Sequence, residues 1–133
     1  MNRRGMTLII VLVMCSLIGM SAMLLFSTVH TESMIAGNTH RINQAKISAT
    51  SGLSHFTALG LTYDTLREQA DGLQTLQILS ETQLGAKTSY EVKVHFYPRL
   101  SERQYVVEST GYYKKGGRII SLHPIKALFE GEQ

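Results

Sequence analysis

The sequence predicts an α+β protein: one long N-terminal helix, apolar enough to cross a membrane and then amphipathic, packed on a C-terminal antiparallel β-meander of three to four strands. Two observations carry this expectation. Met6 to Phe26 is a run of 21 positions without a charge, and it passes without a proline into polar sequence where apolar residues return every three, four or seven positions. From Tyr90 onward the period changes to two.

At 1.5 Å rise per residue the apolar run spans about 31 Å, close to the roughly 30 Å hydrocarbon core of a bilayer. Its weakly polar members are few: Thr7, Cys15, Ser16, Gly19 and Ser21. A helix satisfies its own backbone in lipid, and Gly19 and Ser21 are small enough for close helix approach. Arg3 and Arg4 precede the run and the first charge after it is Glu32, so the positive-inside rule keeps the N-terminus in the cytoplasm and exports the rest. A secretory signal peptide fits less well. Its apolar core is about 7 to 15 residues and ends in a small-residue cleavage site, whereas this core is longer and Met20-Ser21-Ala22 is a poor site. A plain single-pass anchor satisfies the same physics and stays open.

Past Phe26 the stripe Ile35, Ile42, Ala45, Ala49, Leu53, Phe56 and Leu59 follows the helical period, and Gly60 is a natural stop. The expected element is a single helix of about 50 residues. Gly37 and Gly52 each weaken it by about 1 kcal/mol relative to Ala and are its candidate bend points. Thr62 to Asp71 reads as a short helix capped by Thr62, with Tyr63, Leu66 and Ala70 inward and Gly72 as its end. Leu73 to Ser80 has no clean period and reads as strand or loop.

The strands are plainer. Tyr90, Val92, Val94 and Phe96 alternate with polar neighbours until Pro98, a second strand runs from Gln104 to about Lys114, and a third from Arg118 to Ala127. Gly116 and Gly117 supply the hairpin turn between the last two, and Pro98 to Glu102 make a longer polar loop. A meander buries one face. The apolar stripe of the long helix is the available cover.

Composition limits what such a protein does. Of 133 residues roughly 105 lie outside the membrane segment, enough for one small domain. The net charge of +3 comes from 13 basic and 10 acidic residues, and without Arg3 and Arg4 the balance is 11 to 10. Such a body makes no electrostatic case for nucleic acid. Cys15 is the single cysteine and lies in the apolar run, so no intrachain disulfide is expected. His30, His40, His55, His95 and His123 lack metal-ligand spacing, and no phosphate loop, nucleophile elbow or carboxylate pair appears. Neither an enzyme nor a cofactor or metal is expected. Lys114, Lys115 and Arg118 flank the hairpin turn as candidate surface-binding residues, with Tyr112 and Tyr113 beside them on opposite sheet faces.

Leader, apolar helix and helix-backed meander together resemble a type IV pilin. Gly5 followed by Met6-Thr7-Leu8 resembles the prepilin peptidase site, where that family is cleaved after Gly5 and N-methylated on the new terminus, Met6. Glu32-Ser33-Met34-Ile35-Ala36-Gly37-Asn38, with Asn43, Ala45, Ala49 and Leu53, is similar to the N-terminal region of PilX-type minor pilins, and Tyr90-Glu91-Val92 with Val107-Glu108-Ser109-Thr110-Gly111 resembles their strands. The implied division is a leader at 1–5, a membrane half at 6–30, an amphipathic half at 31–60 and a head at 61–133.

Departures from the pattern refine the expectation. Pilins place Phe at the first mature position and Glu at the fifth, here Met6 and Ile10. That Glu neutralises a neighbour's terminal ammonium in an apolar core, where an unpaired charge is costly. A subunit with Ile10 suits a filament tip better than a repeating shaft. Thr50 stands where an acid is common in the PilX-type helix, and the cysteine-closed loop of many major pilins is missing. The resemblance therefore implies a minor pilin of a tip or priming complex, held in the inner membrane before assembly. Its implied partners are other pilins, the prepilin peptidase and the assembly platform. A minor pseudopilin of a type II secretion or competence system shares the same leader, and a membrane-tethered binding or sensing domain remains the alternative from another class.

Overall fold

The computed structural model describes residues 3–97 and 103–131. Met1 and Asn2 of the expected leader, and the loop expected at Pro98 to Glu102, lie outside the described residues. The elements in chain order are α1 (Arg3–Ala58), α2 (Tyr63–Ala70), β1 (Thr75–Gln83), β2 (Thr88–His95), β3 (Gln104–Lys115) and β4 (Arg118–Glu130). The chain divides into two compact units, Met1–Asn38 and Thr39–Gln133.

The first unit is helical throughout its described length. From Met6 to Val29 its large apolar side chains are exposed, as a lipid-facing surface requires.

In the second unit the remainder of α1 covers one face of a four-stranded antiparallel sheet of order β1-β2-β3-β4. This is the α+β arrangement that the two periods predict. The buried helix face is Ala45, Ser48, Ala49, Gly52 and Phe56, in steps of three and four. Of the expected stripe, Ile42 and, past the helix end, Leu59 are exposed, as is Ile35 in the first unit. Close approach limits the middle of the buried face. A Cβ on Gly111 of β3 would overlap the Ala45 carbonyl oxygen and the Ala49 amide nitrogen, so only small residues fit where helix and strand meet.

Tyr90, Val92, Val94 and Phe96 from β2 and its end, with Tyr105 and Val107 of β3, meet Phe56, Leu66 and Ala70 in one core. Aromatic edges knit it together. Phe56 lies edge-on to Phe129, and Tyr63 edge-on to Phe96.

The segment without a clean period is a strand. β1 pairs with β2 through Leu76↔Val94, Leu79↔Val92 and Thr82↔Tyr90, with register shifts between Gln77 and Leu79 and between Leu79 and Thr82. Each shift spaces the residues opposite β2's buried positions three apart rather than two, which erases the alternation. α2 starts one residue after Thr62, whose hydroxyl meets the Thr65 hydroxyl at 2.8 Å and makes no cap to a backbone amide. Thr62 therefore holds the expected N-cap position, with extended backbone, but without a side-chain capping bond. At the other end Asp71 (φ 44°) takes the left-handed position ahead of Gly72. The β3–β4 turn is as expected, with Gly116 (φ 60°) and Gly117 (φ 77°) both left-handed.

Candidate functional site

Two surfaces carry the chemistry of this chain. The first is the apolar part of α1. Three of its hydroxyls are turned back onto its own backbone: Ser16 Oγ donates to the Leu12 carbonyl (2.9 Å), Ser21 Oγ to Leu17 (2.9 Å) and Thr28 Oγ1 to Leu24 (3.0 Å). Each bond hides a donor that lipid or a packed helix would otherwise leave unmade. Among the described residues this is the one helix long and apolar enough to cross a membrane. Met6, Ile10 and Val13 are exposed on it, and Gly19 has open space where a Cβ would be. Gly5 and Met6 both have helical backbone.

The second surface is the sheet face away from the helix, where three carboxylates organise the polar side chains. Glu91 takes the Tyr112 hydroxyl at 2.6 Å and Lys93 Nζ at 2.9 Å. Burial raises its pKa, but these two donors outweigh it and hold the carboxyl below its ordinary range. The tyrosine responds in the opposite sense. Burial and the bond to Glu91 push the Tyr112 hydroxyl well above its ordinary value. Glu81 accepts from Lys114 and from Ser89 Oγ, the latter at 2.8 Å, and these bonds lower its pKa. Glu108 Oε2 lies 3.2 Å from both Lys126 Nζ and His95 Nε2. The His95 contact is within ion-pair range without hydrogen-bond alignment, while its Nδ1 meets the Thr75 hydroxyl at 3.0 Å.

The hairpin residues singled out in the sequence separate here. Lys114 is tied to Glu81, whereas Lys115 and Arg118 face each other across the turn and are exposed. The β1–β2 turn joins them, since the Lys114 amide donates to the Lys87 carbonyl at 2.7 Å. Lys87 and Leu84 in that turn went unnoticed in the sequence, because β1 had no visible period to place its end.

The histidines do not converge. His40 sits edge-on to Tyr113, and His55 Nδ1 meets the Tyr90 hydroxyl at 2.7 Å. Among the described residues no group of three or more His, Cys, Asp or Glu side chains is placed to hold a metal ion. Comparison with protein-family models, with curated proteins and with solved structures finds no match for this chain.

Proposed function

We propose that this chain is a minor type IV pilin, a structural subunit of a tip or priming complex that aids pilus assembly, twitching or adhesion. The observation that carries the reading is α1. It runs unbroken from Arg3 to Ala58, buries hydroxyls in its own backbone through the apolar part, and ends under an antiparallel meander. A helix of this kind is compatible with two apolar surroundings in turn, the bilayer before assembly and neighbouring helices after it. Head contacts then set the order of assembly.

In this reading the chain enters the inner membrane with its N-terminus in the cytoplasm, is clipped between Gly5 and Met6, and is methylated on Met6. Its partners are other pilins, the prepilin peptidase and the assembly platform. Ile10 in place of an acid leaves no carboxylate for a neighbour's ammonium, which favours a position where that pairing is not needed.

Mass spectrometry of the N-terminal peptide tests this directly. A peptide beginning at N-methylated Met6 is the expected result. Intact Met1 would make the chain a tether, and a terminus beyond Phe26 would make the apolar run a shed signal.

A further inference from the structure

The two hairpin turns at one end of the sheet combine exposed cations with exposed aliphatic side chains. Lys87 comes from the β1–β2 turn, and Lys115 and Arg118 from the β3–β4 turn. Among the described residues no acidic side chain pairs with any of these three, because the neighbouring acid, Glu81, is taken by Lys114 and Ser89. Beside them Leu84 is 48 % exposed, Ile119 52 % and Ile120 45 %. Ile120 is the extra residue at the register shift between the Tyr113↔Ser121 and Lys114↔Ile119 pairs. The three place aliphatic surface directly beside the unpaired cations.

We infer that this end of the sheet is a docking surface for an anionic phospholipid bilayer, with Lys87, Lys115 and Arg118 on the headgroup phosphates and Leu84, Ile119 and Ile120 in the interfacial layer. Charge complementarity selects the occupant: free cations flanking short apolar side chains match the phosphate level of a membrane and the acyl boundary just below it. A bilayer is a surface this chain is built to meet, since α1 is long and apolar enough to cross one. The docking rests on that spanning helix and does not require filament assembly.

The test uses the full chain with Cys15→Ser and Ile119→Cys, labelled with an environment-sensitive fluorophore and reconstituted into phosphatidylcholine vesicles with or without phosphatidylglycerol. A second reporter, Leu128→Cys, sits at the far end of β4. The expected result is a blue shift and quenching by acyl-chain quenchers at position 119 in the anionic vesicles alone, with position 128 in water throughout. Reversing Lys87, Lys115 and Arg118 to Glu lowers docking by at least a hundredfold, each cation contributing about fivefold. Salt at 1 M, where the Debye length is about 3 Å, has the same effect without any substitution. A label at 119 that stays in water, or that is equally buried in neutral vesicles, overturns the proposal. So does release of the label by duplex DNA at equal phosphate, which would assign the cations to nucleic acid. Carbonate-resistant flotation separates the two levels: a chain that floats with a wet label defeats only the docking, whereas one that washes off defeats the spanning helix and the docking with it.

Discussion

Ser109 of β3 donates its hydroxyl to the carbonyl of Ala49 in α1 at 2.7 Å, both residues being fully buried. It joins the sheet to the helix at the point where small residues allow them to touch. Ser109→Ala removes the donor while the Ala49 carbonyl keeps its place in the helical ladder, so the expected loss is about 1 kcal/mol. Chemical denaturation of the full chain in detergent, followed by near-UV circular dichroism of the tyrosines, measures it. A loss below a few tenths of that figure would mean the bond contributes nothing net.

The glycines around that bond differ sharply in what they tolerate. On Gly111 a Cβ would strike helix backbone at Ala45 and Ala49, which cannot yield locally. Gly111→Ala should cost about 1–3 kcal/mol or more. On Gly52 it would meet the Ser109 hydroxyl and the Tyr90 ring, both side chains. Gly52→Ala should therefore cost less, and less again in combination with Ser109→Ala, which deletes one of the clashing atoms. Gly37 has open space, so Gly37→Ala should gain up to about 1 kcal/mol of helix stability. The order of Gly52 and Gly111 is checked by the same denaturation assay, where equal costs would contradict it, and the gain at Gly37, in the first unit, by the helical far-UV signal on heating.

How far this was legible in the sequence depends on the element. The long helix and the strands β2, β3 and β4 follow from period and punctuation, because Tyr90 to Phe96 alternates cleanly and Gly116-Gly117 can take the left-handed turn. Two things were hidden. β1 lost its alternation to two register shifts, which move Leu76, Leu79 and Thr82 to a spacing of three that imitates a helix. On α1 hydropathy favours the exposed Ile42 over the buried Ser48, and reads Gly52 as a bend point rather than a packing position, whereas the helix–sheet contact selects by size. Of the hairpin cations, Lys115 and Arg118 could be placed from the turn alone. The capture of Lys114 by Glu81 could not, since it joins strands whose register the sequence does not state.

Stability should fall at both ends of the pH scale, for opposite reasons. Glu91 and Glu81 have pKa values below the ordinary 4.5, so their contribution is complete above that value and is lost as the pH drops through the lowered ones. Tyr112 has a pKa raised above the ordinary 10.0. Its contribution is complete below that value and is lost as the pH rises through the raised one. Thermal melts of the full chain should therefore give a plateau from about pH 5 to 10. Glu91→Gln should shrink the acid arm to the part that Glu81 supplies, and Tyr112→Phe should shrink the alkaline one, to which Tyr105 and Lys126, also raised, contribute. An alkaline arm unchanged by Tyr112→Phe would show that another group governs it.

A charge on the apolar part of α1 separates the helix's role from the head's. Ile10 and Val13 are exposed on α1 within the first compact unit, and the core residues all belong to the second. Lys at either position costs about 2.5–3.5 kcal/mol on insertion scales, a cost that the long side chain lessens by snorkelling toward the nearer membrane face. Between the packed helices of the proposed filament there is no interface to reach, and Ile10 supplies no carboxylate as partner for the ammonium. Ile10→Lys and Val13→Lys should therefore leave the tyrosine signal and melting behaviour of the head unchanged, permit membrane insertion at reduced yield, and remove the chain from sheared filaments. Immunoblots of membrane and sheared fractions read all three outcomes when paired with a melt of the purified chain. Either variant present in filaments at the wild-type ratio would mean that the apolar surface of α1 does not pack in the filament core.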